Sequence, residues 1–471
     1  MRIAATLLII TVFFQTGNTQ EYWDLSKCIN YALENNLDIQ SAGLNRDLSE
    51  RGVQLAKGQY LPSLNASAYY GFNFGQAIDP FTNQFAVNSV QTGNLNLGLN
   101  WTIFNGLQRL NQLEQSRLDL QSNEYAYTNA QYIASLAVTT SYLQILFNIE
   151  NLKVAEEQIA ITRQQVDRTE KLVEAGSAPQ GQLYDIEAQL AREDLAKVDA
   201  ENAMTLSYLD LKQLLRLPGD TTIQILEPTD LDEEELKLPE SLQGVIQNAY
   251  NSYPSIKSQE FSLLSAEKGI TIAKGVYYPT LSLSGSLGSG YSQNQREIIG
   301  ATPAGTEPIG FVENSLETVV APTFNTTSRV QEMNVQLENN FNQTFGFALS
   351  IPIFNRFQNS FNVNQAKINY AQSENALERE KQQVRQDIER AYADAVAAYK
   401  RYYSTEKSMV ALQEAFDYAE KRFNVGMINA VDYNLAKNNL TRAKSDLVRA
   451  KYEYVFRRKI LDFYQGIPLK L

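Results

Sequence analysis

Histidine is absent from all 471 residues. Its absence removes the commonest general base and the commonest transition-metal ligand together. A single cysteine, Cys28, leaves no internal disulfide. Lipid attachment needs small residues just before the cysteine, and Lys27 stands there instead, so Cys28 reads as a small apolar residue on a helix starting at Asp24 or Leu25. Basic charge is also short: 41 Lys and Arg face 53 Asp and Glu, a net charge of −12. A nucleic-acid partner needs a basic surface, so that class is excluded. Neither a cysteine pair nor a phosphate-cradling glycine loop occurs, and no catalytic centre, cofactor or metal is expected. Long apolar runs are missing as well. Residues 3–14, behind Arg2, are too few to span a bilayer and suit a secretory signal over 1–19, and no later segment has the ~20 apolar residues of a transmembrane helix.

Helix breakers are missing from 107–175, which contains no glycine and no proline. A helix of roughly 70 residues would be about 100 Å long, a length typical of coiled coils. Val138, Ile145, Leu152, Ile159, Val166 and Val173 recur every seven residues and keep one seam toward a partner. Gly176 and Pro179 end the run, and a second helical stretch returns to 217: a long helical hairpin over 105–217. Displaced by 250, the seam becomes Ile388, Ala395, Tyr402, Met409, Phe416 and Phe423, and Gly176 becomes Gly426. This second hairpin covers 355–466. Tyr402 and Phe423 read as packing residues of the seam.

Between helices the period changes to two. Apolar Leu64, Tyr70 and Phe72 alternate with polar or small residues over 63–75, and Leu95, Leu97, Leu99 and Trp101 do so over 93–104. A displacement of 217 carries the first strand onto 280–291, with Leu283. Phe345, Phe347 and Leu349 mark a fourth strand over 341–354. The chain thus divides into a first repeat (20–218), an acidic linker (219–241, with Asp232-Glu233-Glu234-Glu235 as a solvated run and a short strand within 221–226) and a second repeat (242–471). The connection 292–340, rich in Gly, Asn, Thr and Ser, reads as a long loop. Each strand has the length and the single apolar face of an outer-membrane strand, although a soluble sheet packed on one side fits equally. Four strands cannot close a barrel, and a bilayer tolerates no open sheet edge. Two chains would give eight strands packed shut by side chains, and three give twelve with room for a conduit.

The whole pattern resembles the TolC family of outer-membrane efflux proteins. Local marks agree: Gly-x-Tyr-x-Pro-x-Leu at 58–64 and 275–281, and the tips Leu172-Val173-Glu174-Ala175-Gly176 and Arg422-Phe423-Asn424-Val425-Gly426-Met427. The resemblance implies a mainly α protein with membrane β-structure. Its two repeats of coiled-coil hairpins and β-hairpins would form a homotrimeric 12-stranded β-barrel joined to a periplasmic α-barrel, with the apolar strand residues named above facing outer-membrane lipid. It also implies a passive conduit of a tripartite efflux or type I secretion system. Partners would be a periplasmic adaptor (membrane fusion) protein and an inner-membrane RND or ABC-type transporter. The adaptor would meet the tips at Gly176, Ser177, Ala178, Gly426, Met427 and Ile428. Asp432 matches an acidic residue near the family's periplasmic entrance and is the first gate candidate; the first repeat has Gln182 at the equivalent position with Asp185 three residues on, and Leu435 stands where the family's second acidic ring would be. Asp432 equally suits the N-cap of the returning helix. The alternative function is an envelope-anchored coiled-coil structural or adhesive protein, and an envelope hydrolase lacks a localised polar pocket. Drug, protein and metal cargo are not separable, although few methionines and no histidine speak against dedicated metal handling.

Overall fold

The computed structural model describes residues 22–467 except 76, 80, 84, 87–88, 219–220 and 228–240. The secretory signal and the acidic run at 232–235 lie outside the described residues. Two compact units form, and each draws on both repeats: one on residues up to 49, 118–263 and from 372 onward, the other on 50–117 and 264–371.

The first unit is helical. Asp24 Oδ1 accepts the Lys27 N–H at 2.6 Å and opens α1 (Leu25–Asn35). Asn36 breaks the run and its side chain accepts from the N–H groups of Asp38 and Ile39, starting α2 (Leu37–Gly58). In the second repeat α5 (Leu242–Ser252) gives way to α6 (Pro254–Gly275), where Pro254 fills a first-turn position that needs no donor. The two hairpins are α3 (Gln108–Glu174) with α4 (Gln180–Leu215), and α8 (Gln358–Asn424) with α9 (Ala430–Tyr464). Both α3 and α8 have 67 residues, hence about 100 Å each. Val138, Ile145, Ile159, Ile388, Ala395 and Phe416 of the heptad seam are buried.

One core joins Val138, Tyr142, Ile145 and Leu146 of α3 to Trp23, Leu25 and Cys28, to Leu211 and Leu215 of α4, and to Val455 of α9. It rests on a two-stranded parallel pair, β1 (Tyr22–Trp23) and β6 (Gln224–Ile225), and the Tyr142 hydroxyl donates to the Leu226 carbonyl at 2.6 Å. Cys28 is fully buried there, and its equivalent in the second repeat is the core residue Val245. Burial, with help from Asp24, pushes its thiol up to about 12, so it is an inert packing group. One expectation needs correction: α3 does contain a window long and apolar enough to cross a membrane. Its apolar residues Val138 to Leu146 are used inside this core instead.

The second unit is built on four antiparallel strands, β2 (Ser63–Asn73), β5 (Val90–Asn105), β7 (Thr280–Ser292) and β10 (Asn342–Ser350), in the order β10-β7-β5-β2. The sheet's last strand stops at Ser350 rather than 354. Beyond it, Ile351, Ile353 and Phe354 find no partner strand among the described residues, and Ile353 is 95% exposed. Gly106, at φ +67°, lies so close to Gly275 that a Cβ at Gly106 would strike the Gly275 carbonyl, while a Cβ at Gly275 would strike the Gln108 side chain and the Gly106 carbonyl, which accounts for the glycine of the second Gly-x-Tyr-x-Pro motif.

The expected loop over 292–340 is mostly ordered strand. β8 (Arg296–Phe311) and β9 (Thr318–Val330) pair as a ribbon, followed by α7 (Met333–Asn339) against β7. Pro303, Pro308 and Pro322 would be excluded from an inner strand, and a two-stranded ribbon has only edges, where a missing N–H can face solvent. The shorter connection after β2 carries the small pair β3 (Ala77–Ile78) and β4 (Phe85–Ala86).

Candidate functional site: helix tips and strand faces

Both tips are turned by the same backbone device. Gly176 sits at φ +72° and donates to the Val173 carbonyl, while Ser177 donates to that of Leu172. Gly426, at φ +77°, donates to Phe423 and Met427 donates to Arg422. This double closure satisfies the orphan carbonyls of each helix end. Gly176, Ser177, Gly426 and Met427 are exposed, whereas Ala178 and Ile428 are half-buried. Ile428 packs beside Phe416, Tyr433 and Leu440, and the Phe423 ring stacks on Tyr433 with centroids 4.7 Å apart.

The returning helices start differently. α4 begins after Pro179 with no side-chain cap. α9 is capped by Asn429, whose Oδ1 accepts the Asp432 N–H at 2.9 Å. Asp432 is therefore not the N-cap: it holds the third helical position, where its carboxylate faces the positive end of the helix and solvent. Asp185 is exposed and Gln182 half-buried. Around the second tip Val425, Met427, Val431 and Leu435 all expose apolar side chains, a surface that sequence reasoning did not recognise as apolar.

Cross-strand register sorts the sheet into two faces. Leu99 lies opposite Leu64 and Gly285, Leu97 opposite Leu287, and Leu283 opposite both Trp101 and Phe347. Directly opposed residues share a face. Leu95, Tyr70, Phe72, Phe345 and Leu349 fall on this same apolar face. The other face carries Asn94, Asn96, Asn100, Ser67, Ser284 and Ser286. Leu64, Tyr70, Phe72, Phe345, Phe347 and Leu349 stand exposed, with no layer over them among the described residues.

Residues 28–215 and 245–466 match the outer membrane efflux protein family, most of both repeats. The chain belongs to that family. A chain of this family is an outer-membrane efflux channel, and the structural or adhesive alternative has no support. The family consists of channels rather than enzymes, and its tripartite systems bring a periplasmic adaptor and an inner-membrane pump as partners. Vibrio cholerae outer membrane protein TolC is 22% identical over 457 residues, 94% of this chain and 90% of the relative. Escherichia coli K12 cation efflux system protein CusC is 22% identical over 448 residues, 90% and 82% of the two chains. The crystal structure of the Campylobacter jejuni CmeC outer membrane channel superposes with a TM-score of 0.72 at 18% identity, covering 94% of this chain and 86% of that one. The fold of this efflux protein is therefore that of the solved channels.

Within the helices of the efflux protein lies a polar cluster that the heptad reading missed. Lys437 of α9 and Glu193 of α4 are buried with nitrogen and oxygen 3.8 Å apart, flanked by Gln158 and Thr162 of α3. Gln158 and Gln189 donate to Glu193 Oε1 at 3.0 and 2.8 Å, Thr162 donates to its other oxygen, and Lys437 donates to the Gln158 carbonyl at 3.3 Å. Burial pulls the Lys437 ammonium down to about 8, against the pull of Glu193. Its signal was present in the sequence: Gln158, Thr162, Gln165 and Thr169 step by four, three and four, a second seam that happens to be polar. Nearer the tip, Gln165 donates to the Tyr433 hydroxyl and Arg168 to the Asn424 carbonyl, both at 3.3 Å.

Proposed function

We propose that three copies of this chain close into one conduit, a 12-stranded barrel in the outer membrane continued into the periplasm by twelve long helices. Cargo enters from an RND or ABC-type inner-membrane pump through a periplasmic adaptor and leaves at the cell surface. The observation that carries this reading is the open sheet. Both edge strands, β10 and β2, present unpaired backbone groups, and each such group costs several kcal/mol in lipid. The duplication favours one closure. Within the chain β5 pairs with β7. By the displacements of 250 and 217, β10 is the equivalent of β5 and β2 the equivalent of β7. Repeating that junction lays β10 of one subunit on β2 of the next, and the unpaired residues after Ser350 gain a partner strand.

The apolar face then meets lipid and the small polar face lines the lumen. The ribbon β8–β9 and the β2–β5 connection stand on the cell-surface side, where such barrels carry their longer loops. At the far end Gly176, Ser177, Ala178, Gly426, Met427 and Ile428 form the tip surface offered to the adaptor, and Val425, Val431 and Leu435 make it apolar. Three Asp432 carboxylates would form a cation-attracting ring at the entrance, with Gln182 and Asp185 beside it. No side chain here marks the cargo, so its choice is assigned to pump and adaptor. Electron microscopy of the mature protein in mild detergent tests the assembly. A three-fold tapered tube is expected, and a monomer or a lumenless dimer would overturn it.

A further inference from the structure

At the outer end of the sheet Asp79, Phe81 and Thr82, in the connection after β2, are fastened down onto the polar face. Asp79 is only 2% exposed. Its carboxylate accepts from the Ser292 hydroxyl and from the backbone N–H groups of Phe81 at 2.9 Å and Thr82 at 3.1 Å. Ser292 is itself fully buried, and its N–H donates at 2.8 Å to Gln336 of α7, so three segments meet at one clasp. Phe81 fills the notch above Gly290: a Cβ at Gly290 would collide with the Phe81 ring. Gly290 lies opposite Asn94, on the face of Asn96 and Asn100, which fixes the side of the sheet on which the ring rests. Val90 and Thr92, on that same face, are buried, while Asn94, Asn96 and Asn100 further along it are exposed.

We propose that this fastened segment is a constriction built into the outer mouth of the conduit, with Phe81 as the wedge and Asp79 as the clasp that holds it inward. The inference rests on the reading that the polar face lines the lumen. Magnitudes favour closure over mere decoration. Twelve strands about 4.8 Å apart, tilted about 40°, give a barrel radius of about 12 Å. A layer stacked on a sheet stands about 10 Å from it. Three such layers, one per subunit, therefore come together near the axis. The conduit has a narrowing at the cell surface separate from the helix tips, and molecules outside the cell are kept from the wall below it.

Thiol labelling from outside intact cells tests this, because Cys28 is buried and the chain has no other cysteine. Asn100→Cys places a thiol on the polar face, six residues or about 20 Å below the wedge level. Leu95→Cys places one on the apolar face. A bulky membrane-impermeant maleimide should label Asn100→Cys slowly. Adding Phe81→Ala should accelerate labelling about tenfold, the change in open fraction that accompanies about 1.4 kcal/mol. Asp79→Ala should do the same, and Phe81→Ala covers the case in which loss of the clasp prevents assembly. Equal rates with and without Phe81 would overturn the constriction while leaving the conduit intact. Labelling of Leu95→Cys in place of Asn100→Cys would instead overturn the assignment of the two faces.

Discussion

Lys437 shows how a residue's place in the packing can be hidden from its sequence. A lysine on a long helix ordinarily belongs in solvent, yet this one is 2% exposed and faces Glu193, Gln158 and Thr162. A buried pair of this kind is costly to break and cheap to replace. Lys437→Met should destabilise the helices by about 3–5 kcal/mol, because it leaves Glu193 buried without its cation. Lys437→Met with Glu193→Leu should be neutral or stabilising. The pH dependence has a definite sign. Below about 8 the lysine is charged in both states, and the folded state carries the cost of burying that charge. Between about 8 and 10.5 the unfolded chain holds a proton that the folded chain has released, so this group's contribution to stability rises with pH in that window. Thermal unfolding followed by circular dichroism from pH 7 to 10 should show the rise in the parent protein and lose it in the double variant. The same slope in both would remove Lys437 from the account. Apolar seam residues such as Val138 and Ile145 were legible because period and chemistry agree. The polar seam escaped because glutamine and threonine at the same spacing look like a solvated face.

At the scale of elements, the long helices and the sheet strands were legible from breakers and period. Glycine is absent from α3 and α8, and Gly176 and Gly426, just beyond their ends, both take the left-handed conformation that ends a helix. The start of α9 was less legible: Asp432 suits a cap by type, and only the geometry gives that place to Asn429. Asn429→Ala should cost about 1 kcal/mol at that tip, and Asp432→Ala less, since Asp432 interacts with the helix end only through its charge. Amide exchange of the first turn of α9 would rank them, and the reverse order would return the cap to Asp432. The ribbon β8–β9 was missed outright. Its glycines and prolines are the residues that punctuate loops, and the sequence gives no way to know that a pair of strands has no inner neighbour to demand the missing donors.

At the scale of the whole molecule, duplication does what no local motif could. A repeat that pairs its own strands internally also specifies what its free edges need, and it does so with a register. Leu97 lies opposite Leu287 at the internal junction. Carried by 250 and 217 residues, that pair becomes Phe347 of one subunit opposite Tyr70 of the next, with Phe345 opposite Phe72 beside it. These four are among the most exposed aromatics of the apolar face, at 66%, 52%, 83% and 54%. A cross-strand aromatic pair is the kind of contact that fixes register. Phe347→Cys combined with Tyr70→Cys should therefore crosslink under oxidation into covalent dimers and closed trimers, since opposed Cβ atoms in a sheet lie about 4.5–5.5 Å apart. Shifting one partner by a single residue, with Gly71→Cys in place of Tyr70→Cys, moves it to the lumen face and should abolish the bond. Crosslinking by the shifted pair but not the first would displace the register and with it the equivalence of the two junctions. Failure of both would mean that the edges of the sheet close in some other way.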